Sequence, residues 1–174
     1  MIQHPESMRF CGFQNVTINL PQAAYRGGRG NWEALYKEID KGMEIAVQAH
    51  LQKKAFAKTL MASPEMPLWE IGKKGMDGRP YVDLEASTYI VGILGLNECL
   101  QFMTGKELHE GEDMVKMGLR IVSHMYMRVK EAGKKHNLKF SLEESPAESA
   151  SRRLAKVDVR NYPEAADMVK GNIE

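Results

Sequence analysis

The sequence is poor in cysteine and in aromatic residues. Only Cys11 and Cys99 occur among its 174 residues, and neither belongs to a Cys-x-x-Cys pair. This scarcity argues against a structural zinc site, which usually needs paired Cys or Cys/His ligands, and a single disulfide would contribute little in a chain of this size. Aromatic residues make up 7% of the chain whereas methionine occurs 12 times, which favours a helix-rich, adaptable core.

An excess of either charge is also absent. Lysine and arginine number 24 against 23 aspartate and glutamate residues, which leaves a net charge of +1. Binding to nucleic acid or to a membrane surface needs a basic excess or patch, so neither partner is expected. No apolar run is long enough for a transmembrane helix, and residues 1–6 lack the features of a signal peptide. We expect one cytoplasmic domain.

Three segments have the pattern of β-strands. Residues 16–20 alternate and stop at Pro21, and residues 138–142 alternate as well. Residues 88–94 are nearly all apolar, as in a strand that is buried on both faces. Three or four strands are too few to close a barrel, so at least one sheet edge should stay open.

Helical periodicity fills most of the remaining chain. The predicted helices run from an Asn31 cap to about Met61, from the turn at Gly95 to Gly105, from about Glu110 to His136, from Ser145 to about Lys156, and over a short segment after Pro163. A tight turn is expected at residues 76–79, in a stretch rich in proline and glycine. Strands that alternate with helices predict an α/β fold with a mainly parallel sheet.

The two cysteines and the five histidines can be interpreted as structural residues without a functional role. Cys11 lies beside a glycine on the loop before the first strand, where it could be a positioned thiol, but spacing alone favours a small buried residue. Cys99 is expected in the core. The five histidines have no metal-ligand spacing, and we expect His50 and His124 to be satisfied core residues. No metal site is predicted.

Two polar segments follow predicted strands. Asn97 and Glu98 come just after the apolar strand, where α/β folds place ligands, but a helix cap followed by a first-turn acid explains them equally well. Residues 145–149 have the pattern of a capping box with Pro146 at the first helical position. The start of such a helix is a natural phosphate site, although a plain cap needs no ligand.

Several motifs, taken in chain order, resemble one family. Residues 10–21 (FCGFQNVTINLP) resemble the active-site cysteine segment of the anaerobic (class III) ribonucleoside-triphosphate reductases. The resemblance continues, in the same order, through residues 75–81, 88–98, 105–110, 142–149 and 152–155. It covers essentially the whole chain, and several colinear motifs are more specific than any one of them.

The resemblance implies a fold and a set of functional residues. The fold would be a portion of a ten-stranded α/β barrel of the glycyl-radical type, with residues 1–174 as a partial catalytic barrel domain. Within it, residues 8–21 would be the finger-loop cysteine segment and residues 144–150 the phosphate loop. Cys11 would be the thiyl-radical cysteine that takes the 3′-hydrogen of a ribonucleotide before its 2′-hydroxyl leaves as water. The implied substrate-binding residues are Asn97, Glu98, Ser145, Ala147, Glu148 and Ser149.

The resemblance also implies partners. They are a ribonucleoside triphosphate substrate, ATP or deoxynucleotide effectors, a radical-SAM activating enzyme and a second copy in a homodimer. Complete relatives are several times longer, and the glycyl radical and zinc are expected in a part that these 174 residues lack. We therefore expect this chain to be inactive alone. The alternatives are another glycyl-radical enzyme of the formate-lyase type and a non-enzymatic α/β interaction module.

Overall fold

The computed structural model describes residues 11–171, which form one parallel sheet and the helices around it. The strands are β1 (Gly12–Asn19), β2 (Thr88–Leu94) and β3 (Lys139–Glu144). They pair in the order β1-β2-β3, and both pairs are parallel. The predicted α/β class with a parallel sheet is confirmed, whereas three strands do not amount to a ten-stranded barrel. Residues 8–10 of the predicted finger-loop segment lie outside the described residues.

Helices connect and flank the strands. They are α1 (Leu20–Gly27), α2 (Trp32–Ala62), α3 (Trp69–Gly72), α4 (Leu96–Thr104), α5 (Glu112–His136), α6 (Glu148–Asn161) and a 3₁₀ helix (Pro163–Met168). Three predicted boundaries are confirmed. Asn31 Oδ1 accepts a hydrogen bond from Ala34 N at 3.1 Å at the start of α2. Gly105 and Asn137 take left-handed conformations just after α4 and α5.

Several boundaries differ from the prediction. Strand β1 begins at Gly12, four residues before the predicted strand, and α6 ends at Asn161 and not at about Lys156. The strand ends before Pro21, and a helix that was not predicted follows directly: proline fits the first turn of α1, and Asn19 Oδ1 accepts from Gln22 N at 3.4 Å. The predicted capping box at Ser145 is wrong. Helix α6 starts at Glu148 without a side-chain cap, because Ser145 N still donates to Ile93 O at 3.0 Å and so continues the pairing with β2.

The core lies between one face of the sheet and the long helices. Tyr89 and Val91 of β2 are fully buried there, with α2 packed on β1 and α5 on β3. His50 of α2 is fully buried and its Nε2 donates to Ile90 O at 2.9 Å, which confirms it as a core residue. Its buried Nδ1 has no hydrogen-bond partner among residues 11–171, so the side chain is only half satisfied. His124 is not a core residue. It is partly exposed and its Nε2 lies 2.8 Å from Asp40 Oδ1.

The opposite face of the sheet is polar. Residues of the three strands alternate between the two faces, so the side chains of Asn15, Thr17 and Glu143 lie on the face away from Val91. The tight turn predicted at residues 76–79 spans residues 75–78, in which Gly78 N donates to Gly75 O at 3.0 Å. The polar face and the carboxyl ends of the strands define the site described next.

Candidate functional site

A cavity of about 490 Å³ opens at the carboxyl ends of the three strands. Four parts of the chain contribute: the β1–α1 junction, the β2–α4 junction, the loop after β3 with helix α6, and residues 168–171. The residues that line the cavity include Asn19, Tyr25, Glu98, Ser145, Ala147, Arg152, Asp158 and Lys170. The carboxyl ends of parallel strands are where open α/β sheets bind ligands, so this cavity is the candidate site.

One side of the cavity is suited to an anion. Helix α6 begins there, and the first N–H groups of a helix have no partner within it, so they carry partial positive charge. Arg152 lies one turn into α6, lines the cavity and forms no ion pair with any residue from 11 to 171. Lys170 lines the cavity too, although its ammonium group bonds the Glu107 carboxylate. Backbone N–H groups and guanidinium are the donors that phosphate prefers.

The other side carries acceptors. Asp158 is only 4% exposed, and its two oxygens accept hydrogen bonds from Asn19 Nδ2 at 2.7 Å and Gln22 Nε2 at 2.9 Å. Burial, and then the nearby charges of Asp158 and Glu98, raise the pKa of Tyr25 above its ordinary range. The phenol therefore stays protonated and can donate. Two carboxylates and one phenol are a set that can bind the hydroxyl groups of a sugar.

The predicted substrate-binding residues separate into two groups. Glu98, Ser145 and Ala147 line the cavity. Glu148 and Ser149 are the first two residues of α6, their side chains are exposed, and neither is among the residues that line the cavity.

Asn97 does not line the cavity. Its Oδ1 accepts from Leu108 N at 2.8 Å and its Nδ2 donates to Glu107 at 3.4 Å. These bonds hold the loop between α4 and α5. Glu107 also bonds Lys170, which lines the cavity. The side chain of Asn97 is therefore linked to the cavity indirectly, through Glu107 and Lys170.

Cys11 lies at the opposite end of the sheet. It is partly buried directly before β1, and its carbonyl oxygen accepts from Thr88 N at 2.8 Å. Asn19, where the cavity begins, is eight residues further along an extended strand, a distance of about 26 Å at the usual rise per residue. The structure thus brings residues 144–147 and Glu98 together in one cavity but does not bring Cys11 to them. Cys99, as predicted, is fully buried, and burial raises the pKa of its thiol to about 12.

Sequence reasoning missed five of the lining residues named above, namely Asn19, Tyr25, Arg152, Asp158 and Lys170. Arg152 belongs to one of the motifs quoted above and follows the start of a predicted helix by one turn, so a signal for it existed. Asp158 had none, because its role depends on how α6 packs against the β1–α1 junction. Within residues 11–171 no group of three or more His, Cys, Asp or Glu side chains could hold a metal ion. Among the helices of that range, none is long and apolar enough to cross a membrane.

Solved structures share this fold. The chain aligns with the anaerobic ribonucleotide reductase from Thermotoga maritima with glycerol in the active site, at a TM-score of 0.71 and 22% identity, over 90% of this chain and 25% of that one. A second structure of the same enzyme, with dATP bound in the specificity site, aligns with this chain at a TM-score of 0.69 and 22% identity, over 90% of this chain and 26% of that one. At this identity the likeness shows the fold: a helix-rich, parallel α/β segment of the kind these reductases contain.

Sequence comparison gives the family. The anaerobic ribonucleoside-triphosphate reductases of Enterobacteria phage T4 and Haemophilus influenzae are each 24% identical to this chain, over 88% and 84% of its length. The family model described as anaerobic ribonucleoside-triphosphate reductase matches residues 3–170. The chain therefore belongs to the anaerobic ribonucleoside-triphosphate reductase family. It spans about a quarter of the length of these relatives, 25% and 22%.

Proposed function

We propose that this chain forms part of the catalytic domain of an anaerobic ribonucleoside-triphosphate reductase and that its cavity binds the triphosphate of the substrate. The observation that carries the proposal is that Arg152, which forms no ion pair with any residue from 11 to 171, lies beside the start of α6 in a cavity at the carboxyl ends of the strands. A triphosphate is a strong anion that needs both backbone N–H groups and a cation. One of the similar Thermotoga maritima structures is described as a complex with dATP and CTP, and CTP is a ribonucleoside triphosphate.

The other side of the cavity completes the proposed substrate site. Glu98 and Asp158 accept hydrogen bonds and the neutral Tyr25 phenol donates one, so the ribose hydroxyls have partners next to the phosphates. Residues 144–150 are the phosphate loop of this proposal, and residues 1–174 are part of a catalytic barrel. The remaining barrel strands would pair with the edges of β1 and β3.

Cys11 is the proposed radical cysteine. As a thiyl radical it would take the 3′-hydrogen of the ribose, which forms an S–H bond and leaves a carbon radical. The 2′-hydroxyl then leaves as water after protonation, and a two-electron reductant, formate or a dithiol, reduces the sugar radical. C3′ finally takes a hydrogen atom back from the cysteine, which restores the thiyl radical and leaves a 2′-deoxyribose. The sequence resemblance supports this role. Cys11 lies about 26 Å along the extended strand from the cavity, too far to take hydrogen from a ribose that is held there. The ribose site described above and the radical role of Cys11 are therefore separate hypotheses, and each needs its own test.

Cofactors and partners of the complete enzyme belong to the same proposal. A glycyl radical would supply hydrogen exchange with the cysteine. Both this radical and the zinc site would come from segments outside this chain. The described residues contain no cluster that fits a zinc ion. A radical-SAM activating enzyme, a homodimer, ATP or deoxynucleotide effectors and a cytoplasmic location complete the proposal.

The phosphate site is tested by Arg152→Gln, with Arg153→Gln as the matched control one residue away. We expect the change at Arg152 to weaken binding of inorganic tripolyphosphate about tenfold or more, because a charge-assisted bond contributes about 1.5–3 kcal/mol. The control should bind as the unchanged protein does. Titration calorimetry at two salt concentrations measures both. Equal affinity of the two variants would contradict the proposed site.

The radical cysteine is tested by Cys11→Ser in the intact polypeptide that carries these residues, activated and assayed for reduction of labelled CTP. We expect complete loss of turnover with tripolyphosphate affinity unchanged, because a hydroxyl O–H bond is too strong to replace the thiol. Cys99→Ser, a buried thiol in the same chain, is the control. Turnover that survives Cys11→Ser would show that the radical cysteine lies elsewhere. Exchange of label into pyruvate instead of nucleotide would favour the formate-lyase type.

A further inference from the structure

Three side chains form a closed set of hydrogen bonds on the polar face of the sheet. Asn15 Nδ2 donates to Ser145 Oγ at 3.4 Å, the Ser145 and Thr17 hydroxyl oxygens are 2.7 Å apart, and Thr17 Oγ1 donates to Asn15 Oδ1 at 3.4 Å. All three bonds can exist together when Ser145 donates to Thr17, since each hydroxyl then donates once. The second Asn15 hydrogen goes to Glu143 Oε1 at 2.9 Å. We call Asn15, Thr17 and Ser145 the polar ring.

The polar ring joins strands that are not neighbours. Asn15 and Thr17 lie on β1 and Ser145 directly follows β3, and two strand spacings, about 9–10 Å, separate these backbones. The side chains meet because β2 carries Gly92 between them. A Cβ atom at Gly92 would lie 2.5 Å from Asn15 Oδ1 and 2.7 Å from each of the two hydroxyl oxygens. Glycine is therefore required here for space, not for an unusual φ.

The loop that the polar ring holds is strained. Ala147 has a φ of 46° and a ψ of 28°, a left-handed conformation that costs a residue with a Cβ about 1–2 kcal/mol. Such a conformation persists only where the surroundings fix it. Here the fixed point is Ser145, whose N–H bonds Ile93 O and whose hydroxyl bonds Thr17. The hydroxyl that the sequence pattern assigned to capping α6 instead holds the loop to β1.

We propose that Thr17 is a positioning residue for the phosphate loop. Through the Ser145 hydroxyl it fixes residues 145–147, and so it directs the N–H groups at the start of α6 into the cavity. This inference rests on the proposed function, because it presumes that those N–H groups bind the substrate's phosphates. Thr17 itself does not line the cavity.

The test compares Thr17→Val, which keeps the shape but removes the hydroxyl, with Thr17→Ser, which keeps the hydroxyl. Thr88→Val is the matched control, on the same sheet but outside the polar ring. In the intact polypeptide we expect Thr17→Val to weaken binding of inorganic tripolyphosphate about tenfold, as for the loss of one hydrogen bond that orders a binding loop. Thr17→Ser and Thr88→Val should bind within about twofold of the unchanged protein. Binding of the nucleoside cytidine, which has no phosphate, should not change.

The outcomes separate this inference from the function on which it rests. If Arg152→Gln weakens tripolyphosphate binding and Thr17→Val does not, the positioning role is overturned while the phosphate site stands. If Thr17→Val and Thr88→Val weaken it equally, or cytidine binding falls in parallel, Thr17 is only structural and the inference is also overturned. If the unchanged protein binds no tripolyphosphate, the proposed phosphate site fails and the inference falls with it.

Discussion

Replacing Gly92 with alanine would put a methyl group among three oxygen atoms that lie within 2.7 Å of the new carbon. Ordinary carbon–oxygen contacts are longer by about half an ångström or more, so every member of the polar ring has to move. Overpacking of this kind costs about 1–3 kcal/mol, and each hydrogen bond lost adds about 1 kcal/mol. We therefore expect Gly92→Ala to lower the free energy of unfolding by ~3 kcal/mol. For a chain of this size that corresponds to a fall in Tm of about 6–12 °C.

Urea unfolding followed by circular dichroism measures this change, and Gly42→Ala is the control. Gly42 lies inside α2, where an added Cβ would meet only Ile18 side-chain atoms at 3.4 Å and 3.6 Å, which is ordinary contact. Alanine is the better helix former by about 1 kcal/mol, so this variant should be more stable than the unchanged protein.

A double mutant tests the physical cause of the Gly92→Ala effect. Adding Ser145→Ala to Gly92→Ala removes one of the clashing oxygens, and the pair should cost less than the sum of the two single changes. If Gly92→Ala leaves stability within 0.5 kcal/mol, roughly the spread of ordinary surface changes, the crowding described here would not exist.

Three further outcomes follow from the same structure. Ala147→Gly should raise the free energy of unfolding by about 1 kcal/mol, because glycine adopts the left-handed conformation freely. Ala150→Gly, inside α6, should lower the free energy of unfolding. Thermal unfolding of the two variants measures both changes. The hydrogen bond from Lys170 lowers the pKa of Glu107 in the folded protein. The stabilisation from this bond is therefore present above the unfolded-state pKa of Glu107 and is lost as pH falls through the folded-state pKa. NMR titration should show that the pKa of Glu107 rises in Lys170→Met, and an unchanged value would contradict the pairing. With a pKa of about 12, the Cys99 thiol should be ionised in only about one molecule in ten thousand at pH 8. Iodoacetamide should therefore modify Cys11 before Cys99, as followed by peptide mass spectrometry. Equal rates at the two cysteines would contradict the burial of Cys99.

Much of the fold could be predicted from the sequence because its signals are local. The β2 bounds, residues 88–94, follow from one uninterrupted apolar run, and the start of α2 from the Asn31 cap. The ends of α4 and α5 follow from Gly105 and Asn137, residue types that accept left-handed backbone conformations. Helix α1 was missed because proline after a strand was interpreted only as a stop, although it is equally suited to a first helical turn.

The candidate site was only partly accessible to sequence reasoning. Polar residues after strand ends drew attention to Glu98 and to residues 145–149, since parallel strands place their carboxyl ends at one edge. The same pattern gave Asn97 a substrate role, whereas its side chain holds a loop. Adjacent residues of a helix point in different directions, and only the packing of α4 decides which of the two faces the cavity.

The sequence by itself determined the family, the α/β class and the position of most helices and strands, because motifs, periodicity and capping residues act over a few neighbouring positions. Only the tertiary structure decided which distant side chains meet. It gave the Ser145 hydroxyl to Thr17 instead of to a helix end, and it buried Asp158 against Asn19. It also put Cys11 at the end of β1 remote from the cavity. These outcomes depend on strand order and on the space left by a single glycine, neither of which is encoded in any short stretch of the chain.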